Sequence, residues 1–527
     1  MAHTHQVPVV VGVGDIKNAS LKAEGAIEPL DLMVKAIESA LKDTGLFACD
    51  LLAFQSAIDS ISVVANWTWP YNDIPQRIAN RLQCEATYLC ESEHGGNSPA
   101  KLFDEAARRI SLGEARVAAV TGGEALASSA SRLSPYYLVA ALRATGNFPP
   151  KGWTHLDDTT SILEKRRPQD LGTQHGLYHP TQIYALYEVG FRAHRGQALP
   201  DNHQESSQLY AQFSAVAAKN KNSWRYGNPP YTAEAIGTIS KKNRMICTPY
   251  PLLMNAFNTV NMAAACIITS TEFARELGIP ESRWIYALGG AGRDDHEHVW
   301  KRPSFYSSRS LSQSLDAALE ASMLTPKEVD LFDFYSCFPI VPKLASSHLG
   351  LPITSSLKPV TLLGGLTSFG GAGNNYSLHV SITEMVRQLR QGRGENGLVL
   401  ANGGVLTHHH AICLSRVPRK DRLPYPKEPG RLAYVGDEYP PIAEQADGVG
   451  VIETYTVQYN RDGSPQIGFI VGRLREDGRR FIANSSDEAT LKALATKTNE
   501  QVGREGWVSY DRTTARNNFS LGSKGNL

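Results

Sequence analysis

The chain has 527 residues, 42% hydrophobic and 20% charged, and its 53 Lys and Arg balance 52 Asp and Glu to a formal net charge of +1. That length exceeds the roughly 250–300 residues over which one core keeps growing, so two or three packing units are expected. The charge balance excludes the basic field of a nucleic-acid or anionic-membrane binder, and the apolar fraction excludes disorder of the whole chain. The cysteines at 49, 84, 90, 247, 266, 337 and 413 form no CxxC pair and lie mostly in apolar runs, which suits reduced, buried thiols in a cytoplasmic protein. The opening MAHTHQVPVVVGVG lacks the charged segment and long apolar run of a signal peptide. No apolar run approaches the roughly 18–20 residues that span a bilayer, so neither a membrane nor a nucleic acid is expected as a partner.

Taken in chain order, Val9–Val13 reads as a strand and Leu30–Leu46, with apolar residues at helical spacing, as a helix. Asp59–Ala65 is again strand-like, Lys101–Leu112 helical, and Ala115–Thr121 a buried strand closed by Gly122 and Gly123. Such alternation points to an α/β layered sheet. The segment AARRISLGEARVAAVTGGEAL (106–126) has a counterpart in MVRQLRQGRGENGLVLANGGVL (385–406): helix end, glycine stop, buried strand, Gly-Gly turn. Each is preceded by a Gly/Asn-rich turn that opens the helix, HGGNSP at 94–99 and FGGAGNNY at 369–376, so the spacing predicts an internally duplicated core. Between the halves, 128–240 is rich in Tyr, His, Pro and Trp and reads as an excursion that shapes a pocket. The expected organisation is a first half over 1–280, a second half over 281–417, a linker with six prolines over 418–446, and a small all-β domain over 447–527.

Several residue groups are candidates for chemistry. In Asn97-Ser98-Pro99, one asparagine or serine caps a helix with Pro99 at its first position; the alternative makes Ser98 a nucleophile, and the exposed amides of the turn suit a carbonyl oxygen or a phosphate. Tyr335 and Cys337, two apart, share a face if they sit on a strand, either as packing residues or as an acid/base and thiol pair. Asn402-Gly403-Gly404 is a tight turn whose amides can approach a ligand carbonyl. His408 and His410 offer two ligands on one strand face where zinc wants three or four, so they read as polar residues bordering a cleft. Asp294-Asp295-His296-Glu297-His298 reads as a solvated loop, and no metal site is expected.

The strings DFYSCFP (333–339), VTLLGGLTSFGGAGNNYSLH (360–379), GLVLANGGVL (397–406) and NRMICTPYPLLMNAFNTVNMAAACIITS (243–270), with the duplication and the excursion, resemble the thiolase superfamily from about Val9 to Arg416. With the β tail, the likeness is to thiolase-like proteins of type 1, usually labelled acetyl-CoA acetyltransferase, whose extra C-terminal domain is OB-like. The resemblance implies a duplicated fold layered α-β-α-β-α, an acyl-CoA thioester as substrate or ligand with no other cofactor, and either a homodimer or, because of the extra domain, a monomer. It also implies that the usual catalytic set is missing. The nucleophilic cysteine of thiolases falls on Gly96, the GHP histidine on Gly371, the CxG cysteine on Ala401 and the HDCF histidine on Tyr335, while Cys337 and Phe338 keep their places. The remaining candidate catalytic residues are Tyr335, Cys337, His379 and His94, with Gly96, Asn97, Ser98, Gly371, Asn374, Asn402 and Gly403 as binding residues. Three functions stay open: acyl transfer on a rewired site, a retro-aldol carbon–carbon cleavage that uses Tyr335, and acyl-CoA binding without catalysis.

Overall fold

Ten residues, Pro8–Lys17, form the first strand (β1), buried along most of its length, and the first helix packs on it directly. The structure is a computed structural model and describes residues 6–21, 25–69, 71–127, 152–155, 170–257, 260–428, 439–496 and 498–522. After β1 come helices α1 (Pro29–Asp43) and α2 (Ala48–Ser56), β2 (Ser60–Val63), α3 (Ile74–Leu82), β3 (Tyr88–Glu91), α4 (Ser98–Ser111) and β4 (Val117–Ala125). The described part of the excursion contains α5 (Pro180–His194) and α6 (Leu199–Lys219), and a small hairpin follows it, β5 (Met245–Cys247) and β6 (Tyr250–Pro251). The core resumes with β7 (Asn261–Ser270), β8 (Ile285–Asp294), α7 (Arg309–Ala321), β9 (Leu331–Phe334), α8 (Ile340–His348), α9 (Thr383–Arg390), β10 (Asn396–Gly403) and β11 (His408–Ser415).

The strand order β3-β2-β4-β7-β1-β8-β11-β10-β9 is two versions of one half-sheet meeting edge to edge at β1 and β8, which share only the pairs Val9–Tyr286 and Val10–Ile285. The alternation of side chains sorts each strand between two cores. On β4, Val117 and Ala119 face the first outer core with α1 and α3, while Ala118 and Val120 face a middle core. On β10, Leu398 and Leu400 face the second outer core, while Val399 and Ala401 face the same middle core. Helices α4 and α9 fill that middle core, α4 through Leu102, Phe103 and Ile110 and α9 through Met385, Val386 and Leu389. The result is the expected five-layered, duplicated arrangement.

The tail is a small closed barrel. Strands β12 (Gly448–Tyr459), β13 (Pro465–Leu474), β14 (Arg480–Ser485), β15 (Glu505–Asp511) and β16 (Arg516–Ser520) pair in the ring β12-β13-β14-β16-β15 and back to β12. The hairpin β5–β6 extends this sheet from outside. The all-β tail expected from the sequence is thus present, although RNNFS of β16 reads as polar. The proline-rich connection is stitched to the core where it is described: Tyr425 is 2% exposed, and its hydroxyl donates to Asp104 Oδ1 at 2.7 Å.

Candidate active site

A cavity of about 710 Å³ opens where the C-terminal ends of β9 and β10 meet the N-terminus of α4 and the start of α5. It gathers His94, Gly96, Tyr335, Cys337, Asn374, Asn402 and Gly403, seven residues that the sequence singled out from positions more than 300 apart. Its size suits a small-molecule site, about 300–1,000 Å³. No Asp, Glu, Lys or Arg is among the described lining residues.

Gly96, the counterpart of the thiolase nucleophile, is buried against the far wall. A Cβ there would collide with the Asn402 carbonyl oxygen and lie 2.9 Å from Tyr335 Oη. Tyr335 therefore fills the space in front of the vacant nucleophile position. Its amide donates to the Leu400 carbonyl at 2.9 Å, and its ring meets Tyr376 edge-on at 5.5 Å. Burial pushes its phenol far above the ordinary range, so the hydroxyl keeps its proton. The Cys337 thiol is pushed up to about 12, chiefly by burial, and is a neutral thiol at physiological pH.

Three expectations need correction. Tyr335 and Cys337 do not sit on a strand: β9 ends at Phe334, and both lie in the turn that leads to α8, where they still reach one cavity. Ser98 is not the cap and does not face the cavity. Asn97 occupies the cap position without a side-chain cap bond, Pro99 is the second helical residue, and the Ser98 hydroxyl donates to the Glu93 carbonyl at 3.0 Å. Asn97 and Ser98 instead line a neighbouring hollow of about 470 Å³. Asn97 packs beneath Gly403, where a Cβ would strike its Oδ1. Gly371 also stays out of the cavity, its amide donating to the Phe257 carbonyl at 2.5 Å. The side chain of His379 lies outside the described residues.

His94 stands where the two hollows meet. Asn374 Nδ2 donates to the Ala65 carbonyl at 2.8 Å and lies 2.9 Å from His94 Nδ1. Because a carbonyl only accepts, the Asn374 atom is a true donor, so His94 Nδ1 accepts and the ring's proton sits on Nε2. Residues not singled out as site candidates complete the wall: Trp67, His179, Thr181, Tyr184, Asn255 and Phe338. Tyr184 stacks on Phe338 at 4.5 Å. The one available signal was composition, since YHPTQIYALY (178–187) concentrates aromatic and polar residues in the excursion. Behind Trp67 and Gly373 lies Glu124, fully buried and bonded by the Trp67 and Thr68 amides and the Thr68 hydroxyl, at 2.8, 3.1 and 2.6 Å. Burial pushes its carboxyl up to about 8.

The histidine triplet splits across β11. His408 pairs with Asp294 at 2.7 Å and His410 with buried Asp104 at 3.0 Å, while His409 turns to Ser310 at 3.1 Å. These pairings give His408 and His410 carboxylate partners at the rim of the smaller hollow, away from Tyr335.

Residues 435–513 match the family described as thiolase-like protein type 1 additional C-terminal domain. The whole chain superposes on a monomeric SCP2-thiolase-like protein type 1 from Mycobacterium smegmatis with a TM-score of 0.78 and 29% identity, covering 99% of this chain and 100% of that one. The chain has the thiolase fold, with a C-terminal domain of the thiolase-like type 1 kind. Two more distant thiolase-fold structures show the fold alone. One is the Ltp2-ChsH2(DUF35) aldolase, at 18% identity and TM-score 0.58 over 79% of this chain and 99% of that one. The other is an acetyl-CoA acetyltransferase from Syntrophomonas wolfei, at 15% identity and TM-score 0.53 over 78% of this chain and 100% of that one. No curated protein matches the sequence. Among the described residues no helix is long and apolar enough to cross a membrane, and no group of three His, Cys, Asp or Glu is placed to hold a metal ion.

Proposed function

We propose that this thiolase-fold chain is a cytoplasmic enzyme that binds an acyl-CoA thioester and cleaves a carbon–carbon bond in its acyl part by a retro-aldol reaction, with Tyr335 as proton donor. The observation that carries this reading is the contact of Tyr335 Oη with the Gly96 position: a phenol, not a thiol, faces the place where thiolases form their acyl-enzyme. A buried phenol that holds its proton is a poor nucleophile, and although burial weakens it as an acid it can still protonate a thioester enolate, which is far more basic. In the proposed step His179 takes the proton of a β-hydroxyl, and the Cα–Cβ bond breaks to release a ketone or aldehyde. The bond's electron pair moves into the enolate of the shortened thioester, Tyr335 protonates Cα, and the proton on His179 restores Tyr335 through solvent. His94, which lines the cavity with its ring proton on Nε2, would donate to the enolate oxygen.

Acyl transfer through Cys337 is the competing chemistry, and the neutral, buried thiol does not favour it. The aldolase among the structures of this fold is consistent with cleavage, and the monomeric relative with a single-chain enzyme. The test is to incubate the protein with a panel of β-hydroxyacyl-CoA esters and follow the carbonyl product and the shortened CoA ester. Turnover that Tyr335→Phe lowers by about 10²–10⁴-fold supports the reading. Labelling of Cys337 by acetyl-CoA would support acyl transfer instead. Tight binding of CoA esters with no product across the panel would make the protein a binder.

A further inference from the structure

Two side chains in the cavity wall have only half of their hydrogen bonding met. Asn402 and Asn255 are 2% and 8% exposed, and both line the cavity. The orientation of the Asn402 amide is fixed by its neighbours. The Tyr184 hydroxyl gives its proton to the Gly404 carbonyl at 3.2 Å and accepts the Leu406 amide at 3.4 Å, so the Asn402 atom 2.8 Å away must be the NH₂. The same NH₂ lies 3.8 Å from Cys337 Sγ. Asn255 is fixed in the same way, its NH₂ donating to the Pro251 carbonyl at 2.7 Å. In both residues Oδ1 is buried and has no partner. Among the described lining residues these are the two buried side chains with an orphan atom, and in each the orphan is an acceptor.

An unpaired buried acceptor costs about 1–3 kcal/mol, and burial keeps water from meeting the need here. Both unmet positions therefore call for a hydrogen-bond donor from a ligand. The missing donor is neutral, because no carboxylate among the described lining residues would hold a cationic one. It also belongs at the reacting end, because the Asn402 backbone packs on Gly96 beside Tyr335.

We propose that Asn402 Oδ1 accepts the hydroxyl hydrogen of a β-hydroxyacyl chain, so that the site selects hydroxylated over unsubstituted acyl thioesters. This rests on the reading of the cavity as an acyl-thioester pocket. The broad terminal torsion of asparagine lets a small rotation bring the oxygen to the cavity surface. Asn402 is a positioning residue in this scheme: its amide oxygen holds the hydroxyl's single hydrogen while the ester binds but cannot take the proton, and the hydroxyl turns to His179 when cleavage begins.

The test is calorimetric titration of the intact protein with 3-hydroxybutyryl-CoA and butyryl-CoA, which differ by that one hydroxyl. The expected result is about tenfold tighter binding of the hydroxy ester, the worth of one neutral hydrogen bond. The ratio falls to about one in Asn402→Leu and is kept in Asn402→Asp, which retains an acceptor at the same place. Equal binding of the two esters by the unaltered protein, an arm that needs no variant to fold, overturns this inference and leaves the acyl-thioester reading standing. Binding of neither ester overturns that reading and the inference with it. A preference that survives in Asn402→Leu removes Asn402 from the assignment.

Discussion

The two halves of the core repeat one strand order, yet their outer faces are covered in different ways. The first half is closed by α1 and α3 through an apolar core. The second is closed by α7 and α8 together with the excursion helices α5 and α6, which leave the first half but lie on the second. Beneath them Lys343 is fully buried, and its ammonium bonds Glu188, Asn202 and Ser206 at 2.6, 3.0 and 2.8 Å. The same contrast runs through the two helix openings that flank the cavity. In the first half α4 starts as a regular helix at Ser98. In the second, 365–382 winds through wide and tight turns before α9 becomes regular at Thr383. Gly364 shows why. With φ at +101° it lies so close to α6 that a Cβ would sit 2.5 Å from the Ala217 nitrogen and the Phe213 oxygen. The excursion deforms the opening it covers, and the uncovered opening keeps the simple form.

Substitutions on the two sides separate these cases. Lys343→Met should have the largest effect, about 3–5 kcal/mol, because it leaves the Glu188 carboxylate buried without its cation. A melting temperature within a degree of the parent would show that the excursion is held by its apolar contacts alone. Gly364→Ala should cost about 3 kcal/mol, combining a left-handed backbone with backbone overlap. Gly350→Ala, also left-handed at φ +67° but facing open space, is the control and should cost about 1–2 kcal/mol. Equal losses at the two glycines would mean that contact with α6 does not shape the opening.

Gly96→Ala should cost about 1–3 kcal/mol by overpacking. Adding Tyr335→Phe should recover only part of the loss, since the Asn402 carbonyl still blocks the new methyl. For the same reason Gly96→Cys should not restore a working thiolase. The last prediction concerns pH. The Glu124 carboxyl is raised from 4.5 to about 8, so the folded chain holds a proton that the unfolded chain releases. Its contribution is complete below pH 4.5 and is lost as pH rises toward 8, so thermal stability should fall across that window. Glu124→Gln, which cannot ionise, should flatten the slope even if it lowers the curve. An unchanged slope would remove Glu124 as its source.

Much of this arrangement could be read from the sequence because periodicity and glycine stops are local. The paired segments 106–126 and 385–406 predicted two copies of one half, and the structure sorts Val117 and Leu398 to outer cores and Val120 and Val399 to the shared one. The motif positions also placed Gly96, Tyr335, Cys337 and Asn402 together. What they could not convey was direction. Ser98 and Gly371 stand beside the right positions, yet local geometry spends their polar groups on the Glu93 and Phe257 carbonyls. Tyr184 and His179 were missed because the excursion has no repeat and no counterpart in the other half, and Asn255 because nothing in the string 243–270 sets it apart from its neighbours. Their roles come from tertiary packing alone.

The hairpin at 245–251 carries a consequence for anyone who would move the C-terminal barrel. The Thr248 amide donates to the Val457 carbonyl at 2.9 Å, and the Thr456 hydroxyl to the Thr248 carbonyl at 2.8 Å. Arg480 reaches across to the Trp300 and Pro303 carbonyls at 2.9 and 3.1 Å. The barrel is thus not a cassette that can be clipped at residue 435 and transplanted. Two of its sheet's strands are encoded nearly 200 residues upstream, so a faithful graft has two pieces, and a protease that removed the tail would leave behind an unpaired sheet edge.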